Sequence, residues 1–103
     1  MKLITEAFES LMADYPLYSQ EDPDDPLVVA KFFNPVGSGT WLITEYCPKQ
    51  RLAFGYVMGL GNDELGYMSL TEMESIRLPL KMGIERDIHF QPKLLSECIK
   101  ENT

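Results

Sequence analysis

Five polar side chains lie in stretches whose apolar residues repeat regularly: Glu45, Glu64, Glu85, Asp87 and His89. Two carboxyl groups in one pocket can hydrolyse a bond, one kept protonated as the acid and the other ionised as the base. Glu45 with Glu64 or with His89 is the candidate set for such a site, that of a small hydrolase. The chemistry requires a pocket that drives the two pKa values apart. Against it stands the commoner fate of a strand carboxylate, which faces water or bonds a neighbouring strand or loop. Glu85 and His89 stand one helical turn apart, but a metal centre usually takes three or more ligands and the chain has a single histidine. On a strand, Glu85, Asp87 and His89 share a face at steps of ~7 Å, a spacing better suited to ion pairs with Arg86 or Arg77 than to a metal. No metal and no other cofactor is expected. Cys47 falls at a strand end and Cys98 on an apolar helix stripe, so neither reads as an activated thiolate paired with His89. The balance is against an enzyme.

Binding is the other chemistry available. Trp41, Phe54, Tyr56 and Tyr67 fall on adjacent strand patterns and would make an aromatic platform if exposed. A platform for single-stranded nucleic acid comes with lysines and arginines along its groove, and here the basic residues are scattered. Packing under helices is the alternative fate of these rings, and any ring left exposed points to a protein partner. The chain carries 9 basic and 16 acidic residues, a net charge of −7. Seven of the acids fall in residues 1–25, where Lys2 is the one base. That leading acidic segment suits a basic protein partner, or simply keeps the protein dissolved. Asp22, Asp24 and Asp25, with Trp41, Tyr56 and Tyr67, are the candidate binding residues. No direct nucleic-acid contact and no membrane contact are expected.

The elements that must hold these residues are centred on FGYVMGLGNDELGYMSLTEMESIR, residues 54–77. Leu52, Phe54, Tyr56 and Met58 alternate with small residues as a strand does. Gly59 to Asp63 is a reversal, and Leu65 and Tyr67 begin a partner strand in which Gly66 marks a bulge or a close backbone approach. The glycines lead into a strand and two acids follow, so they do not form a phosphate cradle. Ser69-x-x-Glu72 is a capping box opening a helix, and Leu78-Pro79 ends it. Upstream, Leu27 to Phe33 and Trp41 to Tyr46 read as two further strands, the second with Trp41, Ile43 and Glu45 on one side and Leu42, Thr44 and Tyr46 on the other.

The expected architecture is α+β, a four-stranded antiparallel meander packed by N-terminal, middle and C-terminal helices in a single domain. Its parts are a helix over 1–15, an acidic loop over 16–26 whose 19–26 stretch is expected to be the most mobile, the sheet over 27–68, and the capped helix over 69–78. An extended segment over 84–90 and a C-terminal helix over 92–100 complete it. No apolar run approaches the ~20 residues of a membrane helix, and acids interrupt the apolar start, unlike a secretory signal. Two cysteines without C-x-x-C spacing fit reduced thiols in the cytoplasm.

The runs AKFF (30–33), WLITE (41–45), FGYVMGLGNDELGYMSLTEMESI (54–76) and IERDIHF (84–90) together resemble a bacterial, DUF2958-like family of unknown function. Its pattern is W-x-x-T-E, F-G-x-V, E-L-G-Y-x-S-L-x-E-L-E and E-R-D-x-x-F, with Met73 standing here where leucine is usual. Such proteins are typically carried on plasmids, conjugative elements and phages, so the resemblance implies a genomic setting and no activity. The function expected is that of a non-enzymatic module acting through protein contacts, its partner unidentified and basic in character. One alternative is an acidic anti-defence inhibitor that mimics nucleic acid through Glu21, Asp22, Asp24 and Asp25, and the other is the hydrolase above. The oligomeric state is not fixed by the sequence.

Overall fold

The computed structural model describes residues 2–101. Helix α1 (Glu6–Met12) precedes strands β1 (Leu27–Val28), β2 (Ala30–Phe33), β3 (Thr40–Cys47), β4 (Leu52–Met58) and β5 (Glu64–Ser69). Helix α2 (Leu70–Ser75), strands β6 (Glu85–Arg86) and β7 (Lys93–Leu94), and helix α3 (Leu95–Glu101) follow. The class is α+β and the main sheet is antiparallel, in the order β5-β4-β3-β2-β6. It has five strands and not the expected four. The extra one comes from the 84–90 segment, where Glu85 and Arg86 pair with Phe33 and Phe32 along the free side of β2. A separate two-stranded ribbon joins β1 to β7.

Several boundaries depart from the periodic pattern, each where a side chain takes over backbone groups. The first helix starts only at Glu6, because Thr5 caps it by accepting the Phe8 amide at 3.1 Å. Residues 3 and 4 stay outside the helix, and Leu3 and Ile4 donate their amides to the Glu74 carboxylate at 2.7 and 2.9 Å. That one side chain ties the leading segment to α2. Ser69 caps α2 as expected, accepting the Glu72 amide, but the helix ends at Ser75, short of the proline. The Ser75 hydroxyl donates to the Glu72 carbonyl at 2.6 Å, the kind of local bond that competes with another helical turn. The last helix starts at Leu95 and not at Pro92, because Lys93 and Leu94 are drawn into the ribbon with Val28 and Leu27.

The sheet has two unlike faces. On one, Ala30, Phe32, Trp41, Ile43, Tyr46 and Ala53 share a buried cluster with Phe8 and Met12 of α1 and Leu70 and Met73 of α2. Phe8 lies 5.5 Å from the Phe32 ring and meets Tyr46 edge-on at 5.0 Å, the offset geometry that ring quadrupoles prefer. On the other face a smaller cluster gathers Val28, Leu42 and Met58 with Leu95 and Cys98 of α3. No helix among the described residues is long and apolar enough to cross a membrane.

Candidate binding groove

The second face is covered only in part, and the reason begins at an irregularity in β3. Ile43 pairs with Gly55 and Glu45 pairs with Phe54, so Thr44 is an extra residue, a bulge. The alternation expected of a regular strand put Glu45 beside Trp41 and Ile43. The bulge shifts that parity: Trp41, Ile43 and Tyr46 share the core face, and Glu45 turns to the other side with Phe54. Gly55 makes the bulge possible, since a Cβ there would fall on the Leu42 carbonyl oxygen. Gly66, the glycine expected to mark a close approach, pairs with Gly55 and would carry a Cβ with nothing within 4 Å.

The bulge also explains the acidic loop. β2 pairs with β3 only as far as Ile43, so the outer backbone groups of the rest of β3 need other partners. Residues 15–20 supply them. Tyr46 donates its amide to the Tyr15 carbonyl at 2.9 Å, and the Gln20 side chain donates to the Thr44 carbonyl at 2.8 Å. Gln20 also donates to the Leu27 carbonyl and accepts the Leu27 amide, while the two Glu45 oxygens accept the Tyr18 and Gln20 amides, each at 2.8 Å. Asp25 closes the far end by accepting from the Ser96 amide and hydroxyl, which holds its carboxyl below the usual range. The segment expected to be the most mobile is therefore fixed at both ends. It stands in for a strand.

Between this loop, β4 and β5 lies a groove with a volume of about 230 Å³. Phe54, Leu65 and Tyr67 form its floor, with the Phe54 and Tyr67 rings edge-to-face at 4.9 Å. Tyr18, Glu21 and Asp24 form the loop side, Leu95 of α3 closes one end, and Glu45 lies at the base, 4% exposed. None of the described residues lining it is lysine, arginine or histidine. Tyr18 takes a left-handed φ of 74°, a conformation that costs an L-residue roughly 1–2 kcal/mol, and the residue is 64% exposed. Leu65 and Tyr67 are 50% and 53% exposed. Hydrogen bonding with the Tyr18 side chain, then burial, then the charges of Glu45 and Glu21 push the Tyr67 hydroxyl pKa up.

The candidate catalytic residues are not brought together. Glu45 lies under the loop; Glu64 is exposed at the start of β5 and pairs with Val57, on the opposite face. His89 lies exposed past β6, four inter-strand steps or roughly 19 Å from β5. Its backbone amide donates to Asp87 Oδ1 at 3.0 Å, closing a turn. Among the described residues no group of three or more His, Cys, Asp or Glu side chains is placed to hold a metal ion. Burial raises the Cys98 thiol pKa, which leaves it a poor nucleophile.

Of the candidate binding residues, Asp24 and Tyr67 line the groove, Asp25 holds the start of α3, and Asp22 is exposed beside them. Tyr56 packs against the α3 cluster and Trp41 is buried in the main core, so the four rings do not form one platform. Leu65 was within reach of the sequence, since it shares the Tyr67 face by alternation. Tyr18 and Glu21 carried no such signal, because their places depend on the amides that Glu45 collects.

A family described as "Protein of unknown function (DUF2958)" matches residues 3–101. No curated protein and no solved structure matches the chain.

Proposed function

We propose, on the premise that this chain belongs to the DUF2958 family of proteins of unknown function, that it is a non-enzymatic protein-interaction module. Its contact surface in this reading is the groove between the acidic loop and strands β4 and β5. The observation that carries it is the half-exposed floor: Leu65 and Tyr67 stay open beside a strained, exposed Tyr18 while the opposite sheet face carries the main buried cluster. Exposed apolar and aromatic side chains grouped at one concave place are what a partner covers. The carboxylate at the base supports binding over turnover, because both of its oxygens already hold backbone amides. Carriage on a plasmid, conjugative element or phage in a bacterial cytoplasm is part of the proposal and rests on the motif pattern alone. The nucleic-acid mimic draws less support, since Asp25 is occupied by Ser96.

The reading is tested by placing a photo-crosslinking residue at Leu65 in the host cell. Leu80, which is 84% exposed elsewhere, serves as the control position. A discrete adduct from position 65 that is absent from position 80, and lost on Tyr67→Ala, is the expected result. Identical adducts from both positions would remove the groove from consideration.

A further inference from the structure

The interaction reading leaves open what enters the groove, and three features of the lining restrict it. The first is size. Clefts for small molecules and cofactors run from roughly 300 to 1,000 Å³, and this one is about 230 Å³, on the scale of one long side chain. The second is charge. Glu21, Asp24 and Glu45 face the space, and no basic residue lines it. The acidic lining disfavours an anion, and a neutral apolar group would leave Glu21 and Asp24 without a countercharge. The third is the layout. Phe54, Leu65 and Leu95 offer apolar surface, and the exposed Tyr18 and Tyr67 side chains line the same space with the loop acids.

Apolar stem, flat cation and multiple donors describe one residue. We propose that the groove seats an arginine side chain from an extended segment of a partner protein, which deepens and rests on the interaction reading. The methylenes lie on Phe54 and Leu65, and the guanidinium lies against the Tyr67 ring with its donors turned to Glu21 and Asp24. Arginine fits better than lysine because its plane stacks on aromatic faces and its fork serves two carboxylates at once. Glu45 adds charge from beneath without moving, since the Tyr18 and Gln20 amides fix it.

The test uses the full chain against arrays of acetylated, amidated nonapeptides with Gly/Ser/Ala flanks and a central arginine, citrulline or leucine. Citrulline keeps the shape of arginine and removes the charge. A cation seated among rings and acids gains from both, so the arginine set should bind about tenfold more tightly than the citrulline set, a difference of about 1.4 kcal/mol. That margin should shrink at high salt. The Glu21→Gln/Asp24→Asn pair and Tyr67→Ala should each erase most of it, and Leu80→Ala should leave it unchanged. All of these positions are exposed, and circular dichroism checks that the variants fold. Equal binding of arginine and citrulline overturns the inference, as does an arginine preference that survives in every groove variant, or no binding by any set. Preferential binding of the leucine set, lost in Tyr67→Ala, would overturn the arginine while leaving the groove as the contact surface. Failure of the crosslink from Leu65 would instead remove the interaction reading itself.

Discussion

On one face of the sheet, Phe32, Trp41, Ile43 and Tyr46 meet Phe8, Leu70 and Met73 in a closed cluster. On the other, α3 brings Leu95 and Cys98 over Leu42 and Met58 and reaches no further, so Leu65 and Tyr67 remain half exposed. Both faces are built from alternating apolar side chains of the same strands. The difference lies in what is left to cover them. Burying a large apolar side chain contributes about 1.5–3 kcal/mol, so a face left open forgoes stability that a third, longer helix would have added. In a chain of 103 residues, where one or two kcal/mol is a large share of the net stability, that open floor is the feature on which the proposed contact surface rests.

The contrast is sharpest for single truncations. Phe32→Ala, in the closed face, should cost about 3–5 kcal/mol, whereas Leu65→Ala in the open face should stay within about 0.5 kcal/mol. Urea denaturation of both variants checks this, and a large cost at Leu65 would mean that the groove is core. Gly55→Ala comes next. A methyl group pressed onto the Leu42 carbonyl should cost about 3 kcal/mol, with a matching fall in the denaturation midpoint.

Glu45→Gln keeps the shape but offers one acceptor where two amides point. A loss of about 1.5–3 kcal/mol is expected for a buried partner left unmade, and the Tyr18 and Gln20 amides should exchange hydrogen faster than those of β3. Unchanged exchange would show that the loop is held by Gln20 and Asp25 instead. Tyr46→Phe acts in the opposite direction, because the Tyr46 hydroxyl is buried with no partner among the described residues. Removing it should stabilise the protein by about 1 kcal/mol. Burial, and then the charge of Glu9, raise the Tyr46 pKa. The folded state therefore favours the neutral phenol, a contribution fully present below the unfolded value near 10 and lost as pH rises through the folded one. Alkaline melting curves of the phenylalanine variant should lack that loss. The smallest effect is at Gly66. Alanine there enters open space beside Gly55 and should gain about 0.5–1 kcal/mol by stiffening the unfolded chain.

Much of the fold was legible because local rules happened to agree. The alternation of Phe54, Tyr56 and Met58, the reversal at Gly59 and the cap at Ser69 each act over a few residues, and all three stand as read. The 84–90 segment was read as extended, but its place as a fifth strand was not legible, because the two-residue pairing of Glu85 and Arg86 with β2 is set by a partner distant in sequence. The helix boundaries shifted for a similar reason. Glu74 is distant in sequence from Leu3 and Ile4, and Asp25 from Ser96.

The groove marks the same division. The sequence by itself determined that Leu65 and Tyr67 share a face, and that acids crowd the loop before β1, since both follow from spacing along the chain. Which face that was, and which acids reach it, only the tertiary structure decided. A single inserted residue at Thr44 reverses the side on which Glu45 emerges, and strand alternation, being a count of two, cannot register an insertion before the partner strand is in place.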